Sequence, residues 1–421
     1  MKEVLENFEK ISQIPHCSFE TEKLRDFLIE FAKDKNCIVK SDKAGNIHCI
    51  KGEPKICLQS HYDMVCMGEA PNIKLYEENG FLKAKNSSLG ADNGIGVAII
   101  MQVMSEFDNF ECLLTNNEEV GLLGAKNLEL KLHSKMLLNL DHEDEKDIIV
   151  SCAGGLDIDT SLKVHFKKSC GYVYELNARN FKGGHSGIDI VENRKNSIKE
   201  MAKFIALNSG EIIKFNGGER INSIAKNARV LVLFKEKIKE NEFIELKFKG
   251  KKCVRVVKES KFLLNIINSF SQGVRSYNKN LNIVESSINL SLLKMKKKVV
   301  KFSLFARSNN LEALKNLEFE TKAHFNDFKI KTYNFYAPWQ GGENELSKML
   351  LDELKKEIKE ARISAIHAGL ECGIIEQKQD LICACIGPNI YNPHSTDERC
   401  ELASIERIKR AVFSLLKRIY S

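Results

Sequence analysis

The sequence has no apolar run that approaches the ~20 residues a membrane helix needs, which excludes an α-helical membrane protein. It has no low-complexity tract and no short-period repeat, and nothing in it suggests disorder. The first stretch, MKEVLENFEKISQIPHCSFETEKL, is an amphipathic helical pattern without the apolar centre of a signal peptide or the composition of a transit peptide. A cytoplasmic location is therefore expected. The thirteen cysteines lack framework spacing (Cys57, Cys66, Cys112, Cys152, Cys383 and Cys385 among them), and ICACIG is C-x-C inside an apolar strand, not a C-x-x-C knuckle. Most read as small buried hydrophobes in a reducing compartment. The net charge of +7 raises nucleic acid as a partner. However, the basic run LKMKKKVVKF is an alternating strand with one solvated lysine face and no interleaved aromatics, so neither nucleic acid nor membrane is expected as a partner.

What is present is a chain of 421 residues, 43% hydrophobic, long enough for two or three domains with a sizeable core. From residue 1 to about 155, helix and strand alternate. The helix EKLRDFLIEFAKDK precedes strands near 46–51 and 55–61, GVAIIMQVMSEF is a strongly apolar helix, and FECLLTNNEE and SKMLLNLDHEDE run apolar and end in acids. That alternation predicts an α/β sheet with parallel pairing. After SCAGG the strands become amphipathic: YVYELNARNF, ARVLVLF, INLSLLKMK, VVKFSLFARS and KIKTYNFY. The helical stretches NSIKEMAKFIAL, ESKFLLNIINSF and LEALKNLEFETKAHF separate them, which predicts an α+β domain over 156–335. The α/β pattern returns from 336 with a helix at 343–359, a strand near 362–366, the strand LICACIG and a terminal helix. One discontinuous domain, 1–155 with 336–421, carrying an inserted domain is the expected architecture.

In an α/β sheet, ligands collect beyond the carboxyl ends of the strands. His61 and Asp63 follow KICLQS, and their i, i+2 spacing places them on one side of a strand. Asp92 lies in the glycine-rich turn of SSLGADNGIGVAII, Glu118 and Glu119 follow ECLLTNN, Asp141 follows KMLLNL, and His394 lies shortly after LICACIGPN. Each has an ordinary alternative: a helix cap at Asp92, a solvated acidic pair at 118–119, a surface run at DHEDEKD. GADNGIG is neither G-x-G-x-x-G nor a Walker loop with its lysine. Taken together, two histidines and several carboxylates at successive strand ends match what two zinc ions need, nitrogen and oxygen ligands with a shared carboxylate and an open water position.

The series SHYDMVC, SSLGADNGIGVA, TNNEEVGLLGA, LLNLDHEDE, SCAGG, KGGHSGIDI, HAGLECG and IGPNIYNPHSTDE resembles the motifs of the aminoacyl-histidine dipeptidases. These are cytosolic non-specific dipeptidases of the di-zinc aminopeptidase and aminoacylase superfamily, and the order matches from about residue 10 to the C-terminus. The resemblance implies a catalytic domain with an inserted lid and a hydrolase cleaving Xaa-His and other dipeptides. It implies two divalent ions, Zn2+ first with Co2+ or Mn2+ as substitutes. Asp92 would bridge the ions, with His61 and Asp141 completing one set and Glu119 and His394 the other. Asp63 would orient His61, Glu118 would be the general base, and His185 in KGGHSG would stabilise the oxyanion when the domains close. Arg307 in FARSNN would hold the substrate carboxylate, Asn222 would join the same polar wall, and His367 and Glu371 in HAGLECG would contact the dipeptide ends. His16, His133, His142 and His324 have no supporting motif.

The sequence departs from the family at Asn117, where an acid is common, and at Tyr62, where a small or apolar residue is common. Neither is an expected ligand. An N-acyl amino acid or amidino hydrolase on the same scaffold, a metal-binding pseudo-hydrolase and a homodimeric assembly are the other readings open to this sequence.

Overall fold

The computed structural model describes residues 1–279 and 282–421 and separates into two compact units. The first comprises Met1–Cys152, Trp339–Ala365 and Leu370–Ser421; the second comprises Ala153–Pro338 and Ile366–Gly369. Among the described residues, no helix is long and apolar enough to cross a membrane.

The first unit is built on a mixed nine-stranded sheet. Its centre is parallel: Ile56–His61 pairs with Phe110–Thr115 on one side and Met136–Asn139 on the other, and Ile382–Cys385 continues beside Met136–Asn139. Strands buried on both faces read as continuous apolar runs, and Ile56–His61 and Phe110–Thr115 are buried along their whole lengths. Register sets where the chain leaves the sheet. His61 lies opposite Thr115, and Leu138 opposite both Leu58 and Ala384, so the carboxyl ends of four strands open on one edge. A separate four-stranded sheet joins the hairpin of Ile390–Tyr391 and Arg399–Glu401 to the hairpin of Leu75–Glu78 and Phe81–Ala84.

The second unit is a nine-stranded antiparallel sheet with helices Ser197–Leu207, Ser260–Ser269 and Leu311–His324. A four-stranded and a five-stranded part meet at the single registered pair Gly217–Leu293. Its core is formed by residues such as Ile158, Ile198, Val232, Phe302 and Phe325. The strand Ile244–Val257 has no counterpart in the expected pattern. Only Ile244, Val256 and Val257 along it are buried, so no period of two is written into its lysine-rich sequence.

Most cysteines are small buried residues, as expected. Nine cysteines are free and buried, but Cys17 pairs with Cys66 and Cys170 with Cys253. The partners stand 49 and 83 residues apart in sequence, a pairing that linear spacing cannot reveal.

The helix Ala91–Glu106 is almost wholly buried, and the N-terminal helix Lys2–Ser12 packs on it. At Gly94 a Cβ would stand 2.8 Å from Cε2 of Phe8, itself 1% exposed. Gly94→Val should therefore lower stability by about 1–3 kcal/mol through overpacking, with Phe8→Leu restoring part of the loss. Thermal unfolding of the two variants and the double variant checks this, and an unchanged Tm in Gly94→Val would refute the packing.

Candidate active site

The open edge of the central parallel strands carries the first cluster. His61 ends its strand, and Asp141 leaves the sheet just after Asn139. Glu118 and Glu119 follow the turn after Thr115, in which Asn117 takes a left-handed φ of 54°. Asp92 sits at the start of the helix Ala91–Glu106, where the backbone of Asp92 and Asn93 is not helical. His394, with φ 59°, lies on the loop between Ile390–Tyr391 and Arg399–Glu401. The ligand atoms of His61, Asp92 and Asp141 lie within 4.8 Å of one another, as do those of Asp92, Glu119 and His394, and those of His61, Glu118 and Glu119.

Asp92 divides its two oxygens. Oδ1 is 3.1 Å from Nε2 of His61, and Oδ2 is 3.0 Å from Nε2 of His394. Asp141 Oδ1 approaches the same His61 nitrogen at 3.3 Å, and Glu119 Oε1 approaches the same His394 nitrogen at 2.7 Å. Glu119 Oε1 is nevertheless buried with no hydrogen-bond partner. Nδ1 of His61 lies 3.0 Å from the Asp63 carbonyl oxygen. With Nδ1–H donated there, the Nε2 lone pair faces two carboxylates. Two histidines and four carboxylates brought this close fit a cation between them.

Charge says the same. Burial pushes Asp141 up to about 8 against the pull of His61. Burial likewise raises Glu118 well above the usual carboxyl range; His61 opposes this, and Glu119, Asp141 and Glu371 reinforce it. Burial alone would lower His394, but Glu119 and Asp92 lift it to about 12. Asp92 is held well below the usual range, the two histidines outweighing its burial. A metal must displace the protons held here, so its binding tightens as the pH rises.

Asp63 differs in detail from expectation. Its main-chain carbonyl holds His61, while its carboxylate oxygen lies 3.5 Å from Nδ1. The carboxylate accepts instead from the main-chain N–H of Glu118 at 2.9 Å and from Ser18 Oγ at 2.8 Å. One residue thus sets both the tautomer of His61 and the loop that carries the glutamates.

Glu371 is wholly buried, which differs from the expected contact with a dipeptide end. Its Oε2 accepts from Gln59 and Thr115, because the helix Glu371–Gln379 begins against the parallel strands. Tyr62 donates to the Gly45 carbonyl, and Asn117 Oδ1 accepts from the N–H of Phe19, so neither family departure enters the ligand groups. His16, His133, His142 and His324 also lie outside those groups. Glu143, not singled out in the sequence, feels Asp92, His394, Asp141 and Glu119 and is pushed up to about 8, chiefly by burial.

The second unit carries its own polar cluster. Arg307 is 5% exposed, with Nη2 at 3.2 Å from Nε2 of His185 and Nη1 at 3.3 Å from the Tyr336 hydroxyl. Its guanidinium stacks over Phe305, and its Nε has no hydrogen-bond partner. Among the described residues, Arg307 forms no salt bridge, and its side-chain hydrogen bonds are to His185 and Tyr336. His185 sits on a turn where its N–H donates to Asp189, and the next residue's N–H donates to the Asn222 carbonyl. Asn222 thus supports the His185 turn through its main chain. His367 is placed between Ser287 Oγ at 2.7 Å and Asn309 Oδ1 at 3.0 Å. Burial, aided by Arg307, lowers it to about 3, so it is neutral. Tyr336 was missed because its sequence neighbourhood reads as an ordinary strand.

No family model matches the chain. It is 29% identical to the cytosol non-specific dipeptidase of Escherichia coli (strain K12), over 98% of this chain and 96% of the relative. The structure is similar to the aminoacylhistidine dipeptidase of Vibrio alginolyticus, with a TM-score of 0.76 and 25% identity over 99% of this chain and 96% of that one. A tripeptidase from Staphylococcus aureus shares the fold, with a TM-score of 0.62 and 17% identity over 99% and 98% of the two chains. End to end, in sequence and in fold, the chain is similar to the cytosol non-specific and aminoacylhistidine dipeptidases.

Proposed function

We propose that the chain is a cytoplasmic di-metal dipeptidase that hydrolyses small dipeptides, Xaa-His among them. The observation that carries this is the division of Asp92, one oxygen toward His61 and the other toward His394, each histidine with its own acid, Asp141 or Glu119. A shared carboxylate with a separate pair on each side suits two ions, and the nitrogen and oxygen donors suit Zn2+, with Co2+ or Mn2+ as substitutes. Divalent ions bound there supply polarisation of the scissile carbonyl and a water with its pKa lowered toward neutrality.

Glu118 is the general base. It takes the proton of the attacking water and returns it to the leaving amine. Its burial among other carboxylates raises its proton affinity, which suits a group that must hold that proton between the two steps. Asp63 fixes the Glu118 backbone. His185 stabilises the tetrahedral oxyanion. Arg307 takes the free carboxylate of the dipeptide, for which a planar fork is suited, with neutral His367 and Asn222 on the same unit.

Glu118→Gln should keep its metal and lose about 10²–10⁴-fold or more in turnover; near-normal turnover of a metal-replete variant would remove Glu118 as the base. Asp63→Asn should retain the ions and lower kcat/KM about 10–100-fold, and an unchanged rate would leave the Glu118 loop independent of it. Arg307→Lys keeps the charge but loses the fork, so KM should rise more than kcat falls. Equal hydrolysis of free and amidated dipeptides by the parent protein would contradict the carboxylate role. A panel that includes N-acetyl amino acids separates a dipeptidase from an N-acyl hydrolase.

A further inference from the structure

The candidate metal centre has a buried carboxylate that is in none of the ligand groups. Glu398 is 3% exposed. Its Oε2 accepts from the N–H groups of Leu89 at 2.8 Å and Gly90 at 3.2 Å, and its Oε1 from the N–H of Ala91 at 2.9 Å. Three successive main-chain donors around a left-handed glycine, Gly90 with φ 73°, form the kind of concavity that binds an anion. Here the anion is a side chain delivered from 309 residues away.

Both partners lead directly to ligands. Ala91 precedes Asp92. Glu398 closes the loop that carries His394, which runs from Ile390–Tyr391 to Arg399–Glu401. That loop is tightened by Ser395, whose hydroxyl donates to the Asn392 carbonyl and accepts from the N–H of Asp397. It is held at its base by Arg399, which lies over the rings of Phe81 and Tyr391. The glycine side is equally fixed: a Cβ on Gly90 would meet Met64 at 3.0 Å. Glu398 is therefore the link between the loop of Asp92 and the loop of His394.

We propose that Glu398 is a positioning residue that sets the separation of Asp92 and His394 and so controls occupancy of the ion they share with Glu119, while the ion on the His61 and Asp141 side depends on it less. The proposal rests on the di-metal reading above. Removing Glu398 leaves three buried N–H groups without an acceptor and frees the two loops from each other. Glutamine keeps the shape but turns an N–H₂ toward at least one N–H donor, so it should rescue only in part.

The experiment is a Zn2+ titration of metal-stripped wild-type, Glu398→Ala and Glu398→Gln chains, with bound ions counted by equilibrium dialysis and the Tm of each metal-free chain recorded. Wild type should bind two ions. Glu398→Ala should retain one and bind the other about 10–100-fold more weakly, with Glu398→Gln intermediate and folded. Two ions bound with wild-type affinity by either variant would overturn the proposal. Equal weakening of both ions, together with a lowered metal-free Tm, would overturn it too and make Glu398 a general support of the fold. A wild-type chain that binds fewer than two ions would instead overturn the di-metal reading, with Glu398 untouched as its cause.

Discussion

Crowding of charge at one edge of a parallel sheet is the constraint on which the rest depends. Asp92, Glu118, Glu119 and Asp141 converge with His61 and His394 in a largely buried site. Buried carboxylates without partners are costly, and cations are the direct remedy. Much of the first unit follows from holding this arrangement together. The parallel register brings the strand ends side by side. The carboxylate of Asp63 takes the Glu118 N–H. Asn93 donates to the Leu140 carbonyl, tying the turn of Asp92 to the chain entering Asp141.

Beneath the cluster lies a second polar layer that is satisfied almost entirely within itself. Gln59 donates to Glu371 and accepts from Asn139, Thr115 donates to the same carboxylate, and Asn139 accepts from the N–H of Asp141. Buried networks of this kind rigidify what they support when complete. Glu371 Oε1 is the exception, with no hydrogen-bond partner. The second unit follows a different logic. It keeps a buried guanidinium, Arg307, stacked on Phe305 and beside His185, without an acid of its own.

His61, Glu118, Glu119 and Asp141 were legible because each follows an apolar run, which parallel strands buried on both faces write plainly, and Asp92 through the glycine-rich turn that opens a helix. The inserted α+β pattern was legible through a different signal, the alternation in the sequence of strands such as Val299–Ser308. What the sequence hid is what depends on distant partners. Glu398 stands within the quoted motif IGPNIYNPHSTDE, but its three donors lie on another loop, and a carboxylate after a histidine gives no sign of that. Glu371, expected to contact a dipeptide end, is the buried first residue of a helix. The strand Ile244–Val257 was hidden by its exposed lysines, and the cysteine pairs by long sequence separation. Asp63 was found, but not that its carbonyl and its carboxylate serve different neighbours.

The central claim is that Asp92 serves two ions at once. It is tested most directly by counting tightly bound divalent ions in the wild-type chain and in Asp92→Ala after metal stripping and reconstitution. About two ions per wild-type chain are expected from five ligands with one shared, and removal of the shared carboxylate should weaken both sites together. A single tight site in the wild type, unchanged in Asp92→Ala, would contradict the account.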